Sequence, residues 1–197
     1  MPKLHQAPIK SLRPTQLTIG LIEVEAKKTH LAALSPKDQQ EFLESHPMPV
    51  VIGPGKNLYI TDHHHLARAA LEAGVMDGYF MIEADFGSHA LEEFWGKMDE
   101  KSWVHPLDQH GVRHRYEFIP GHLKQLTDDV YRSLAGFVRD AGGYEKTPTA
   151  FAEFIWADFF RRNIALEDVS ADFHGAVRYA QHLARSRLAK GIPGFTE

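Results

Sequence analysis

Three consecutive histidines, His63, His64 and His65, follow Thr61-Asp62 and precede Leu66-Ala67-Arg68. Imidazoles beside a carboxylate can move protons, hold a metal or hydrogen-bond an anion. Leu66, Ala69, Ala70 and Ala73 fall at i, i+3, i+4 and i+7, so the spacing predicts a helix here. Thr61-Asp62 is expected to cap it and Gly74 to stop it. A helix start directly after a strand presents unpaired N–H groups and the positive end of the helix dipole. Such a place suits phosphate oxygens. Asp62 is placed to serve as cap, metal ligand or base. His64 and Arg68 share one side of the helix, away from the apolar stripe, and His65, three residues before Arg68, could share a ligand with it. The plainer alternative is a capped helix with solvated histidines. Three adjacent histidines lower helix propensity and add nothing to packing, which favours a functional reading.

A second group is Arg13-Pro14-Thr15-Gln16, followed by Gly20-Leu21-Ile22-Glu23. A strand end with an arginine, a hydroxyl and an amide can hold phosphate oxygens; the alternative is a turn whose side chains satisfy backbone groups. Asp128, Asp129 and Arg132 read as a helix start. Glu153, Trp156, Asp158, Arg161 and Arg162 read as a structural helix with an intrahelical pair of Asp158 with Arg161 or Arg162. Asp62-His63-His64 also spells the short signature of the DHH phosphoesterases. Those need clustered aspartates on earlier strands, and only Asp38 precedes Asp62 here. A zinc site on His110 and His114 is disfavoured because Gly111 breaks the helix that would align them. There is no His-Glu-x-x-His, Walker loop or Gly-x-Gly-x-x-Gly.

The elements that must position these residues follow from the apolar pattern. Residues 7–16 predict a short edge strand running into a turn, and residues 20–34 a helix. Ser35-Pro36-Lys37-Asp38 opens another helix, ending before Pro47. Residues 49–52 and 58–60 predict strands around a Gly-Pro-Gly turn, 79–84 a third strand, and Ser88 to about Lys101 a helix. Residues 103–122 read as loop. Beyond them a helix precedes Gly142-Gly143, Thr147-Pro148 opens one running over Phe151–Arg162, and a last helix carries Phe173, Ala176, Val177, Ala180, Ala184 and Leu188. The expectation is an α/β (α+β) fold: an α/β unit over residues 1–102 with a small mixed sheet, and a helical extension, residues 103–197, packed on it as a layer.

Composition narrows the functional classes. The 197 residues include 13 histidines and no cysteine, which excludes disulfides, thiolate metal sites and a cysteine nucleophile. A net charge of −4 argues against a broad basic surface for nucleic acid, so any such contact must be local. No segment reads as a signal peptide or a membrane span, and the chain is expected to be cytoplasmic, with no membrane partner.

On Arg13-Pro14-Thr15-Gln16, Pro49-Val50-Val51-Ile52-Gly53-Pro54-Gly55, Leu58 to Ala69, Tyr131-Arg132-Ser133-Leu134-Ala135 and Phe151 to Arg161, the chain resembles the ParB-like nuclease family of the ParB/sulfiredoxin superfamily. The resemblance implies a small mixed sheet of the ParB/sulfiredoxin type and a nucleotide-phosphate pocket. Superfamily members hold phosphates with the turn before this helix, commonly Asp-Gly-His-His-Arg. On that pattern Asp62 matches the acid and His64 and His65 the histidines. His63 replaces the glycine, and Leu66 stands where the arginine belongs. Arg68 is the suggested replacement for that arginine. Kinase members carry a glutamate where this chain has Gln16, and an amide cannot act as general base, so either Glu23 substitutes or the kinase chemistry is absent. The implied function is binding of a nucleoside di- or triphosphate with Mg²⁺ and cleavage or transfer of a phosphoryl group. Arg13, Thr15, Gln16, His63 and Arg68 would bind, Asp62, His64, His65 and Glu23 would carry the chemistry, and Asp62 would hold the metal. A metal-dependent nuclease acting on DNA and a non-catalytic protein- or DNA-binding module are the alternatives.

Overall fold

Val50 and Val51 are neighbours whose side chains point to opposite faces of their strand, and both are fully buried. A strand covered on both faces belongs in the middle of a layered fold, and the computed structural model, which describes residues 4–196, places it there. The strands are β1 (Leu4–Pro8), β2 (Leu12–Arg13), β3 (Thr18–Ile19), β4 (Met48–Ile52), β5 (Leu58–Ile60), β6 (Asp77–Asp85) and β7 (Thr127–Asp128). Five form one sheet in the order β1-β6-β4-β5-β2. The pairs β1/β6 and β4/β5 are antiparallel, while β4/β6 and β2/β5 are parallel. The sheet is therefore mixed, as expected; its edges are β1 and β2, and the proline-bearing segment of residues 7–16 supplies the second edge and only the end of the first.

Eight α-helices occur among the described residues: α1 (Leu21–Ala33), α2 (Pro36–Ser45), α3 (His64–Glu72), α4 (Leu91–Glu100), α5 (Val130–Asp140), α6 (Ala152–Asn163), α7 (Leu166–Ala171) and α8 (Phe173–Ala184). Ser35 caps α2 as its sequence predicts, accepting from the Asp38 N–H. The start of α3 differs from expectation. Its N-cap is His63, in the left-handed region at φ 63° and ψ 25°, and the His63 side chain makes no cap bond. Thr61 is instead tied to β6, its hydroxyl donating to Glu83 Oε2 at 2.7 Å. Thr147-Pro148 does not open α6, which starts at Ala152 after a left-handed Phe151. The last helix stops at Ala184, so Leu188 lies beyond it and is exposed. The short helix α7 has no periodic signature in the sequence.

Contacts divide the chain into two compact units, residues 1–19 with 24–127, and residues 20–23 with 128–197. Residues 103–127 thus group with the sheet. Val104 enters the cluster of Val51, Tyr59, Phe94, Trp95 and Met98, and Leu123 is 1% exposed. The second unit has its own core of Leu134, Val138, Trp156, Phe160, Ala176, Ala180 and Ala184. Small residues on α8 let helices approach closely, and Trp156 fills the centre, stacked on Tyr144 at 4.3 Å with its indole N–H on the Pro193 carbonyl at 2.8 Å. The two-sided burial expected of α6 is what Trp156 and Phe160, both fully buried, display.

Candidate functional site

Parallel pairing of β2 with β5, with Arg13 beside Tyr59, brings the C-terminal ends of the two strands together. Thr15 lies just past β2 and Thr61 just past β5, so the Arg13–Gln16 segment and the turn into α3 meet at one sheet edge. The carboxyl ends of parallel strands, facing a helix N-terminus, are where α/β folds place ligands.

Thr15 is the joint. Its N–H donates to His64 Nε2 at 3.2 Å, and its hydroxyl donates to the Ile60 carbonyl at 2.8 Å while lying 3.3 Å from the same ring nitrogen. A backbone N–H can only donate, so His64 is neutral at Nε2 and carries its proton on Nδ1. Thr15 is 1% exposed, and His64 and His65 are 5% and 7% exposed. The histidines expected to be solvated in the plainer reading are therefore interior groups. Leu66 is buried with them.

Asp62 is exposed, and its Oδ1 accepts from the His63 N–H at 2.6 Å. This one-residue contact leaves the helical N–H groups of the first turn uncapped by Asp62. The left-handed conformation at His63 explains why the motif this segment resembles has glycine at that position: φ near +60° is free for glycine and strained for a residue with a Cβ.

The two arginines of the first unit differ. Arg68 turns along its own helix, its Nε on Glu72 and its Nη1 on the Leu123 carbonyl at 2.8 Å. Arg13 makes no ion pair among the described residues; its guanidinium lies 6.0 Å from the Tyr59 ring centroid. Burial pushes the Tyr59 hydroxyl up from its ordinary range and the Arg13 charge opposes the rise. Next to Thr15, Gln16 is 6% exposed and its Nε2 has no hydrogen-bond partner. A buried amide without an acceptor is costly, on the order of 1–3 kcal/mol.

Glu23 lies in the other unit. Its carboxylate accepts from Arg132 Nη1 at 3.1 Å, and Arg132 Nη2 bonds Glu153, which also pairs with Arg139. Asp129 caps α5 through the Tyr131 and Arg132 N–H groups, as its sequence position suggests, and holds Arg161 at 2.6 Å. Burial pushes the Asp129 carboxyl up, and the Arg161 charge opposes that rise. Asp158 pairs with Arg161 within α6, one of the two pairings expected. The joining of Glu23, Arg132, Arg139 and Glu153 into one set was not legible beforehand, because no sequence period links residues 109 positions apart.

Among the described residues no group of three or more His, Asp or Glu side chains is gathered as a metal cage. Magnesium bound with a nucleotide needs only one or two carboxylates, the remaining positions being phosphate oxygens and water. Asp62 fits that mode. No helix among the described residues is long and apolar enough to cross a membrane.

Comparison with known proteins bears on the family. A family model described as "Putative ParB-like nuclease" matches residues 5–162, a span that takes in Arg13–Gln16, the histidine turn, α5 and all but the last residue of α6. The chain is similar to the crystal structure of protein Atu1540 from Agrobacterium tumefaciens, with 39% identity and a TM-score of 0.91 over 99% of this chain and 98% of that one. A search of curated proteins finds no match. With the family model covering well over half its length, the chain belongs to the ParB-like nuclease family.

Proposed function

We propose that the junction of β2, β5 and α3 binds the phosphates of a nucleoside di- or triphosphate carrying Mg²⁺, and that a phosphoryl group is cleaved or transferred there. The observation that carries the reading is Gln16, a donor sealed from water without an acceptor, next in the chain to Thr15, which bonds His64 in the first turn of α3. A phosphate oxygen would satisfy it. Arg13, which has no carboxylate partner among the described residues, supplies the positive charge, and the N–H groups opening α3 supply oriented donors. Asp62 would hold the magnesium, whose chemistry is neutralisation of charge on the phosphate oxygens. His64 acts by position: with its Nε2 occupied by Thr15, it holds the strand end against the helix.

The test is thermal unfolding with millimolar ATP, ADP, CTP and GTP in the presence of Mg²⁺, together with assay of released phosphate. At about 100 times the dissociation constant, a ligand stabilises by about 2.7 kcal/mol. Gln16→Leu gives opposite signs for its two effects: the ligand-free protein melts higher, because the orphan donor is gone, and the nucleotide-induced rise shrinks. Arg13→Ala reduces the rise as well. Absence of stabilisation by all four nucleotides, or a rise untouched by both substitutions, removes the proposal.

A further inference from the structure

A cavity of about 280 Å³ in the first unit is lined by Thr18, Asp108, His114, Phe118, Gln125 and Thr127 among others, and shares no lining residue with the phosphate junction. It is open to solvent on one side and lies just below the usual size range for small-molecule sites, so a compact ring system fits it.

Its walls have a definite chemistry. Asp108 Oδ1 accepts from the His110 and Val112 N–H groups, each at 2.9 Å, and Oδ2 lies 2.8 Å from His114 Nε2. A carboxylate only accepts, so His114 donates through Nε2 and its Nδ1 remains the ring's second polar atom. This is the way a carboxylate fixes the tautomer and aim of a working imidazole. Thr18 is 1% exposed and its hydroxyl has no partner. Gln125 has its Oε1 engaged by the His122 N–H at 3.1 Å, so its amide NH₂ is the group left to donate. Phe118 stands 64% exposed, its ring 5.5 Å from that of His114. No lysine or arginine lines the cavity, and Asp108 contributes negative charge, which disfavours an anion.

We propose that this cavity is a binding site for a planar, uncharged heterocycle with hydrogen-bond donors and acceptors on its edge, stacked on Phe118 and read by the Thr18 hydroxyl, His114 and Gln125. An exposed aromatic face beside a hydroxyl and an amide is the combination that recognises such rings, stacking giving affinity and the polar groups orientation. The unsatisfied Thr18 hydroxyl is the group that gains most from an occupant.

The experiment is a two-dimensional NMR titration of the intact protein, reading the His114 imidazole, with phosphate-free adenosine, cytidine and nicotinamide at millimolar concentration and ribose as control. The His114 resonances shift saturably with at least one heterocycle and not with ribose. Thr18→Val and Phe118→Ala each weaken that binding about tenfold. Phe118 is exposed, so its replacement leaves the fold intact and isolates stacking. If no heterocycle shifts His114, if ribose acts equally, or if both variants bind as the parent does, the cavity holds only water and the proposal is overturned. Because the probes lack phosphate, a failed Mg²⁺–nucleotide titration leaves this result untouched, and the converse also holds.

Discussion

At the scale of single residues, His63 shows what a motif reveals and what it hides. The run of histidines marks the helix start, but it gives no indication that its first member sits in the left-handed region. Only the backbone shows why glycine is the residue of the resembled motif. His63→Val, with a branched Cβ in that conformation, is expected to cost about 1–2 kcal/mol or more in urea unfolding, whereas His63→Gly stays within about 1 kcal/mol of the parent. Asp108 makes a second prediction. Burial pushes its carboxyl up, but the His114 hydrogen bond and the Val112 and His110 N–H groups outweigh this and hold it down to about 2, against an ordinary 3.8. A depressed folded-state value means a stabilising contribution that is whole above pH 4 and vanishes as pH falls toward 2. Asp108→Asn therefore lowers the melting temperature at pH 7 and flattens the stability–pH curve between those limits. Sequence spacing draws attention to His110 and His114 together, and Gly111, at φ 76°, lies in a turn and not in a helix that would align them. The partner of His114 is Asp108, brought round by a turn that has no periodicity to read.

At the scale of elements, apolar periodicity located β4, β5, α3 and α5 well, because each buries a single face or a continuous run. It was weakest where backbone or charge decides. The set of Glu23, Arg132, Arg139 and Glu153 holds two carboxylates and two guanidiniums. Arg132 also lies over the Phe154 ring at 5.4 Å. Replacing Arg132 by Met removes the guanidinium that Glu23 and Glu153 share, and removing one member of a buried pair costs about 3–5 kcal/mol. Guanidinium chloride unfolding followed by Trp156 fluorescence, with Trp95 and Trp103 replaced by Phe in parent and variant alike, reads that loss in the second unit. Two glycines belong to the same arrangement. A Cβ on Gly136 would come within 2.7 Å of Glu23 Oε2, and one on Gly20 within 2.7 Å of the Ser133 backbone nitrogen. Gly20→Ala meets backbone that cannot rotate away, and about 1–3 kcal/mol of destabilisation follows. The sequence shows a helix beginning after Gly20; it does not show what that glycine faces.

At the scale of the whole molecule, the expected mixed sheet with helices after it is what the chain forms. The division of the chain was less legible. The loop-like reading of residues 103–122 suggests a boundary at residue 102, whereas contacts group residues 103–127 with the sheet and assign residues 20–23 to the later unit. The loop of residues 103–122 is polar on average, and its anchors, Val104 and Leu123, are too sparse to register as a pattern. Cutting after Thr127 therefore separates more than a linker. A fragment of residues 128–197 is expected to show weak Trp156 burial and broad amide resonances, and adding residues 20–33 as a peptide to restore part of its order.

Those four early residues also bear on how the protein is made. Gly20 to Glu23 leave the ribosome long before the α5 segment that Glu23 must meet, 109 positions later at Arg132. At bacterial-to-eukaryotic elongation speeds the interval is about 5–20 s. Throughout it the nascent chain carries Glu23 before Arg132 has been translated, so this ion pair forms only once the α5 segment has appeared.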